Sequence, residues 1–315
     1  MESLVLTSVI DAKEERDEMT ADVPNAFIQA NMPKVDDGKE RVIMKITGVM
    51  VDILIKLAPE VYGPFVVFQN GKKVLHVQVL KALYGMLVAA LLWYKRLRDD
   101  LEEIGFEFNP YDPCVANRII NGKQHTVCFH VDDLKSSHVQ SGVNTEFLKW
   151  LNQTYGKVGE VKATRGKVHD YLGMTLDFTK KGIVEINMCA YVDKILSEFR
   201  EFYKLDTTAE TPAATDLFVK KGDELLQPEQ KEHFHTFVAK CLFMAKRARP
   251  DIQMAIAVLA TRVRDPTKDD WKKLVRVLRY LNGTPDLVLT LQADDLHVIH
   301  WYVCLLYTSP SPRDA

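Results

Sequence analysis

The feature that most constrains this chain is an apolar run that ends in two adjacent carboxylates, Asp132 and Asp133. Residues 127–131 follow an Asn121-Gly122 turn, so they are predicted to form the second strand of a β-hairpin. Neighbouring carboxylates repel each other unless a counter-charge lies close by, and magnesium supplies such a charge through oxygen ligands. Taken alone, an ordinary turn explains the pair better, because Asp is a common turn residue.

A third acidic residue, Asp22, also ends a short β-like run, in the segment TADVPNAF at residues 20–27. By itself, Asp22 is equally typical of a helix cap or a turn. Together with Asp132 and Asp133, it would place three carboxylates on neighbouring strand ends. Two magnesium ions about 4 Å apart can then clamp the attacking and leaving oxygens of an in-line phosphoryl transfer. The residue types therefore indicate two-metal chemistry.

The pattern along the chain changes from mixed to helical. Hairpins are predicted at residues 65–79, 114–131 and 171–188, and a further strand at 134–139. Helices are predicted at residues 3–15, 26–30, 86–103, 147–155, 191–202, 231–247, 250–262 and 267–281. Thr267 and Asp270 form a plausible capping pair at the start of the last helix. The order of these elements predicts an α+β fold followed by a small helical domain.

Charge is unevenly distributed along the chain. The formal net charge is −2, yet residues 231–286 contain twelve Lys or Arg and six Asp or Glu. A basic region could bind a phosphate backbone, although a solvated helix face is the simpler explanation on charge alone. The five cysteines form no C-x-x-C pair, which argues against a zinc site and for reduced thiols inside a cell. No apolar run predicts a membrane span and no signal peptide is visible.

Six segments resemble, in order, the reverse transcriptases of copia-type long-terminal-repeat retrotransposons. They are DVPNAF at 22–27, KALYGM at 81–86 with Trp93-Tyr94, FHVDDLK at 129–135, DYLGM at 170–174, RPDI at 249–252 and RYLNGT at 279–284. The resemblance implies a right-hand polymerase palm, an antiparallel sheet with helices, followed by a small helical thumb-like domain, with the fingers incomplete. The implied boundaries are 1–205 for palm and partial fingers, 206–230 for a linker, 231–283 for the thumb or connection, and 284–303 for the approach to a ribonuclease H domain.

The same resemblance implies roles for individual residues. Asp22, Asp132 and Asp133 would be catalytic and would hold two Mg²⁺ ions, with Mn²⁺ as a substitute. Phe27 would reject a 2′-hydroxyl by its bulk, Tyr84 and Gly85 would pack near the nascent base pair, and Gly173 and Met174 would contact the primer. The residues expected to follow duplex phosphates are Arg247, Arg249, Arg276 and Arg279, although a solvated face explains these arginines equally well.

The implied activity is RNA-directed DNA polymerisation by a retrotransposon enzyme. A primer 3′-hydroxyl would attack the α-phosphate of a deoxynucleoside triphosphate and release pyrophosphate. The implied partners are an RNA template, a DNA primer and deoxynucleotides, with protease, integrase and ribonuclease H in the same polyprotein and no membrane. The implied location is a virus-like particle in the cytoplasm, or the nucleus.

The chain also departs from the family pattern. His130 replaces the usual Tyr, and residues 87–91 (LVAAL) replace a stretch that usually carries basic and amide groups. Because 21 residues precede Asp22, we expect a fragment of a longer frame. Residues 304–315 resemble a translated sequencing adapter. Two alternatives therefore stay open: an inactive fragment that keeps only nucleic-acid binding, and an unrelated two-metal phosphotransferase or nuclease.

Overall fold

The structure is a computed structural model that describes residues 1–33 and 41–298. Within these residues the helices are α1 (Glu2–Lys13), α2 (Ala26–Gln29), α3 (Val49–Leu57), α4 (Pro59–Tyr62), α5 (Ala89–Glu103), α6 (Ser141–Tyr155), α7 (Cys189–Phe202), α8 (Pro228–Ala245), α9 (Gln253–Ala260) and α10 (Lys268–Gly283). The strands are β1 (Asp17–Asp22), β2 (Ile43–Thr47), β3 (Val66–Gln69), β4 (Lys72–Gln78), β5 (Glu107–Phe108), β6 (Val115–Ile120), β7 (Lys123–His130), β8 (Asp133–His138), β9 (Lys162–Gly166), β10 (Val168–Tyr171), β11 (Met174–Asp177), β12 (Ile183–Asn187) and β13 (Leu289–Gln292). The predicted mixture of helices with antiparallel sheets is confirmed. The expected adapter-like tail at 304–315 lies outside the described residues, as does the end of the predicted approach to ribonuclease H.

A six-stranded sheet occupies the first half of the described chain. Its order is β5-β6-β7-β8-β1-β9, and every neighbouring pair is antiparallel. The hairpin of β6 and β7 forms where the Asn121-Gly122 turn predicts it, with positive φ at both turn residues. One face of this sheet packs on α5 and α6, whose buried side chains include Trp93, Leu97 and Phe147. β1 lies between β8 and β9, so it pairs with two strands that are far from it along the chain.

Helix α1 covers the opposite face of the same sheet. Side chains alternate between the two faces of a strand, so Lys135 of β8 points away from the side on which Leu134 packs against α5 and α6. Lys135 is 2% exposed and forms an ion pair with Asp11 of α1, which is fully buried. Arg16 lies 3.5 Å from the same carboxylate. A buried ionic cluster therefore joins α1 to the sheet.

The second half of the chain is built on a four-stranded sheet and four helices. The sheet has the order β10-β11-β12-β13, and its apolar face shares one core with α7, α8, α9 and α10. This core joins elements on both sides of the predicted linker. The capping box predicted at Thr267 and Asp270 is confirmed at the start of α10. Strand β13 was not predicted from the sequence, and its pairing with β12 brings the C-terminal part of the described chain back to the hairpin.

A smaller three-stranded sheet, β2-β4-β3, lies between the first candidate aspartate and α5 along the chain. Its β3–β4 hairpin turns at Asn70-Gly71, as predicted, with φ of 50° and 73°. Among residues 1–33 and 41–298, no helix is both long enough and apolar enough to cross a membrane.

Candidate active site

The three predicted aspartates lie together where β1 ends and β8 begins, at one end of two inner strands of the six-stranded sheet. β1 ends at Asp22, β8 begins at Asp133, and the two residues are direct partners in the antiparallel pairing. Directly opposite side chains share one face and lie about 5 Å apart at their Cβ atoms. The amide of Val23 donates a hydrogen bond of 3.1 Å to the carbonyl of Asp132. Asp22 is exposed, and Asp132 and Asp133 are half-buried, so all three carboxylates border solvent.

The turn between β7 and β8 is held in an unusual backbone conformation. Val131 has φ of 59°, in the left-handed region that a β-branched residue disfavours. The indole Nε1 of Trp93, in α5, donates a hydrogen bond of 2.5 Å to the carbonyl oxygen of Val131. Trp93 is 1% exposed and its ring contacts Tyr155 edge-on, with centroids 5.2 Å apart. A residue of the buried core therefore fixes the turn that carries Asp132.

Three acidic side chains lie close together at the ends of β1 and β8. Burial raises the pKa of the Asp133 carboxyl above its ordinary value, and the charges of Asp132 and Asp22 raise it further. Burial also raises the pKa of the Tyr84 phenol, with the same two aspartates adding to the effect. Lys135, two residues beyond Asp133 in β8, is already paired with Asp11. The carboxylates thus have the electrostatics of a cation site.

The donor set fits a hard divalent cation, because all three side chains offer carboxylate oxygens. Across the part of the chain that the structure describes, no group of three His, Cys, Asp or Glu side chains is already arranged to hold a metal ion. Asp22, Asp132 and Asp133 are therefore neighbours at the ends of β1 and β8, but their carboxylates do not yet surround a common point as metal ligands would. Asp22 is exposed, so the core does not enclose its side chain.

Two aromatic residues lie beside the aspartates. Phe27 is in α2, which follows a left-handed residue, Asn25 with φ of 52°. Its ring centroid is 4.5 Å from that of Tyr84, with 46° between the planes. Gly85 has φ of 91°, a conformation that a residue with a side chain rarely adopts. The predicted substrate residues Phe27, Tyr84 and Gly85 are thus brought together.

The hairpin expected to contact the primer is hydrogen-bonded to β7 and β8. Leu172 and Gly173 form its turn, with φ of 51° and 79°. The hydroxyl of Tyr171 donates to the carbonyl oxygens of Asp133 at 3.3 Å and Cys128 at 3.4 Å. Met174 is 2% exposed in the second core, so its side chain faces the protein interior. Gly173 is exposed and Leu172 is half-buried, so the turn of this hairpin is accessible to a ligand.

The four predicted arginines have different environments. Arg249 is 1% exposed, and its guanidinium is held by Asp251 at 2.8 Å and by Thr284, so it is committed to a structural role and not to the predicted phosphate contact. Arg276 is half-buried and donates to Thr211. Arg247 is half-buried, with its guanidinium 3.5 Å from the ring centroid of Phe243. Arg279 is exposed on α10.

The face of β1 and β8 that carries Asp22 and Asp133 is polar over several residues, which was not predicted from the sequence. Glu18, Thr20 and Asp22 of β1 lie opposite Ser137, Lys135 and Asp133 of β8, respectively, so six polar residues share one face of the pair. The alternation of polar and apolar residues along residues 18–22 is a signal that could have identified this face. The partner of Lys135, Asp11, had no local signal, because it lies 124 positions away in sequence.

Comparison with protein families and with known proteins gives one consistent group. The family model described as reverse transcriptase (RNA-dependent DNA polymerase) matches residues 49–213. That range includes Asp132, Asp133, Tyr84 and Gly173, whereas Asp22 precedes it. The transposon Ty5-1 protein of Saccharomyces cerevisiae is 26% identical over 210 residues, which cover 66% of this chain and 65% of that protein.

Two plant proteins are similar over comparable lengths. The retrovirus-related Pol polyprotein from transposon RE2 of Arabidopsis thaliana is 27% identical over 227 residues, 70% of this chain and 15% of the polyprotein. That from transposon TNT 1-94 of Nicotiana tabacum is 24% identical over 222 residues, 68% of this chain and 16% of the polyprotein. Telomerase from Candida albicans aligns with 91% of this chain and 50% of its own chain, at 9% identity and a TM-score of 0.31.

Proposed function

The chain belongs to the reverse transcriptase (RNA-dependent DNA polymerase) family, and from that premise we propose that Asp22, Asp132 and Asp133 are its catalytic, metal-binding carboxylates. The observation that carries this proposal is the direct pairing of Asp22 with Asp133, next to the turn that holds Asp132. Repulsion between these side chains is costly unless a cation is bound between them. By family, the enzyme is a nucleotidyltransferase that extends a DNA primer on an RNA template.

The three carboxylates would hold two magnesium ions. When bound, such ions stabilise the attacking and leaving oxygens of an in-line phosphoryl transfer. The chain's own residues supply the rest: Trp93 fixes the turn of Asp132 through Val131, and Tyr171 fixes the Leu172-Gly173 turn against β8. In this arrangement the primer 3′-hydroxyl would attack the α-phosphate of the incoming deoxynucleotide, and pyrophosphate would leave.

We infer that the six-stranded sheet with α5 and α6 serves as the polymerase palm, and that α8, α9 and α10 serve as a thumb-like region. Arg276 and Arg279 of α10, and Arg247 just after the end of α8, are exposed or half-buried and would contact the duplex backbone. Arg249 is left out because its hydrogen bonds are used within the protein. The aligned plant Pol polyproteins are far longer than this chain, so we propose that it acts as one domain of such a polyprotein, together with protease, integrase and ribonuclease H.

The test is single-nucleotide incorporation on an RNA template annealed to a DNA primer, with magnesium. We expect the wild-type chain to extend the primer and Asp132→Asn to lose at least about a hundredfold in rate, since the substitution removes a charged metal ligand. Asp223→Asn is the matched control, because Asp223 is 90% exposed and pairs with Lys220 at the surface. Equal activity of Asp132→Asn and the control would contradict the assignment of the site.

A second candidate is binding without catalysis. Leu87 and Leu91 are exposed in the stretch where the family pattern carries basic and amide groups, which weakens the expected grip on the template. Duplex binding measured by fluorescence anisotropy, without incorporation by the same wild-type preparation, would favour this candidate over the polymerase.

A further inference from the structure

Phe27 and Tyr84 form an aromatic pair beside the aspartates. Their centroids are 4.5 Å apart and their planes are inclined by 46°, within the range of favourable aromatic contacts. Phe27 is half-buried, whereas Tyr84 is 57% exposed. A tyrosine this exposed contributes little to the core, so its contact with Phe27 needs a reason other than packing.

The spacing of the two rings is set by backbone hydrogen bonds between their segments. The amide of Ala82 donates to the carbonyl of Ala30 at 3.0 Å, and the amide of Met32 donates to the carbonyl of Leu80 at 3.0 Å. Ala30 and Ala82 are 1% and 0% exposed, and their small side chains allow the two segments to approach closely. Tyr84 is therefore held next to Phe27 by main-chain geometry.

The backbone of Phe27 is also fixed. Gln29, in the same short helix, donates through Nε2 to the carbonyl of Tyr155 at 2.9 Å. Ala26 is fully buried. Phe27 follows Asp22 by five residues. With the backbone held at both ends, the remaining freedom of Phe27 is rotation of its side chain, and the ring of Tyr84 closes one direction of that rotation.

We propose that Tyr84 is a positioning residue that holds the Phe27 ring in place and thereby sets the discrimination between deoxyribonucleotides and ribonucleotides. This inference rests on the proposed function and on the role that the family resemblance implies for Phe27, the rejection of a 2′-hydroxyl by its bulk. A bulky side chain excludes one extra oxygen atom only if it cannot turn aside. The role belongs to the ring of Tyr84 and does not require its hydroxyl.

The experiment compares kcat/KM for one deoxynucleotide and its ribonucleotide counterpart, on an RNA template with a DNA primer. We expect Tyr84→Ala to lower the ratio by about threefold to tenfold, the value of one aromatic contact. Tyr84→Phe should stay within about twofold of the wild type because it keeps the ring. Tyr111→Ala is the matched control, since Tyr111 is 95% exposed and lies on another loop. The ratio does not depend on the fraction of folded enzyme.

A double-mutant cycle separates positioning from direct contact. If Tyr84 acts through Phe27, then Phe27→Ala and the double variant with Tyr84→Ala should discriminate equally poorly. Additive losses would overturn the inference, because Tyr84 would then act by itself. An unchanged ratio in Tyr84→Ala, with active wild type, would overturn the inference alone. Failure of the wild type to incorporate any deoxynucleotide would overturn the proposed function, and this inference with it.

Discussion

Asp22 of β1 lies directly opposite Asp133 of β8, at the end of the pairing between two neighbouring strands of the six-stranded sheet. Like charges in directly opposite positions destabilise an antiparallel pair. Burial and the two neighbouring aspartates raise the pKa of Asp133, which is the sign that its charged form is disfavoured in the fold. The pair therefore lowers the free energy of unfolding, as expected where carboxylates are kept because they bind a ligand.

Asp133→Asn should therefore make the protein more stable and inactive at the same time. The amide removes the charge that the neighbouring carboxylates repel, so we expect the melting temperature to rise by about 1–3 °C at pH 7. Incorporation should fall to background because a metal ligand is lost. Differential scanning fluorimetry and the primer-extension assay measure the two effects. A fall in melting temperature would show that Asp133 stabilises the fold instead.

Trp93→Phe should weaken the turn that carries Asp132. The variant keeps an aromatic ring in the core but removes the hydrogen bond to the carbonyl of Val131. We expect a loss of about 1–2 kcal/mol in the free energy of unfolding, the cost of leaving a half-buried acceptor unpaired, and about a tenfold loss in the incorporation rate. Trp150→Phe is the control, since Trp150 stacks on Phe147, and the hydrogen bond to the carbonyl of Val131 comes from Trp93. Urea unfolding and primer extension test both effects, and equal results for the two variants would contradict this role of Trp93.

The buried pair of Lys135 and Asp11 should be sensitive to the loss of one partner. Lys135→Met leaves the Asp11 carboxylate buried with Arg16 as its remaining cation, so we expect a loss of about 3–5 kcal/mol in the free energy of unfolding. Lys180→Met, which breaks an ion pair with Glu185 in which the lysine is 60% exposed, should cost about 1 kcal/mol or less. Urea unfolding of the two variants gives the comparison. Similar losses would mean that the buried lysine is not needed to compensate Asp11.

Local chemistry made much of the architecture predictable. Asn-Gly pairs at residues 70–71 and 121–122 adopt the positive φ values that two-residue hairpins require, and both hairpins form. Thr267 and Asp270 make the capping box that their spacing predicts. In each case the signal lies within a few residues of the structure it specifies. The assignment of Asp22, Asp132 and Asp133 to metal binding stays a prediction, which the pairing of their strands supports.

Pairings between distant segments could not be read from the sequence. β13 pairs with β12 about a hundred residues earlier, and residues 289–292 carry no turn signal that would identify the partner. Residues 49–57 form the helix α3, which is not among the helices predicted from the sequence. Arg249 was expected to contact a phosphate because the sequence does not reveal that Asp251 and Thr284 surround its guanidinium. Each of these outcomes depends on which elements meet in space.

Glu18→Gln should change how stability depends on pH. Burial raises the pKa of the Glu18 carboxyl to about 7, against the opposing hydrogen bond from Lys167. The folded state therefore holds a proton between about pH 4.5 and 7 that the unfolded state releases, so the stability contributed by this group is complete below pH 4.5 and is lost as pH rises through 7. Glutamine mimics the protonated form, so the variant should be more stable than the wild type at pH 8 by about 1–3 kcal/mol and equal to it near pH 4.5.

Urea unfolding of the two proteins at pH 4.5, 6, 7 and 8 measures this difference in stability. Burial lowers the pKa of His125 to about 3, which has the opposite effect on stability. Because His125 is present in both proteins, its effect cancels in the difference. Glu102→Gln, an exposed residue paired with Arg98, should show a small difference that hardly varies with pH. A difference between Glu18→Gln and wild type that stays constant over this range would contradict a raised pKa at Glu18.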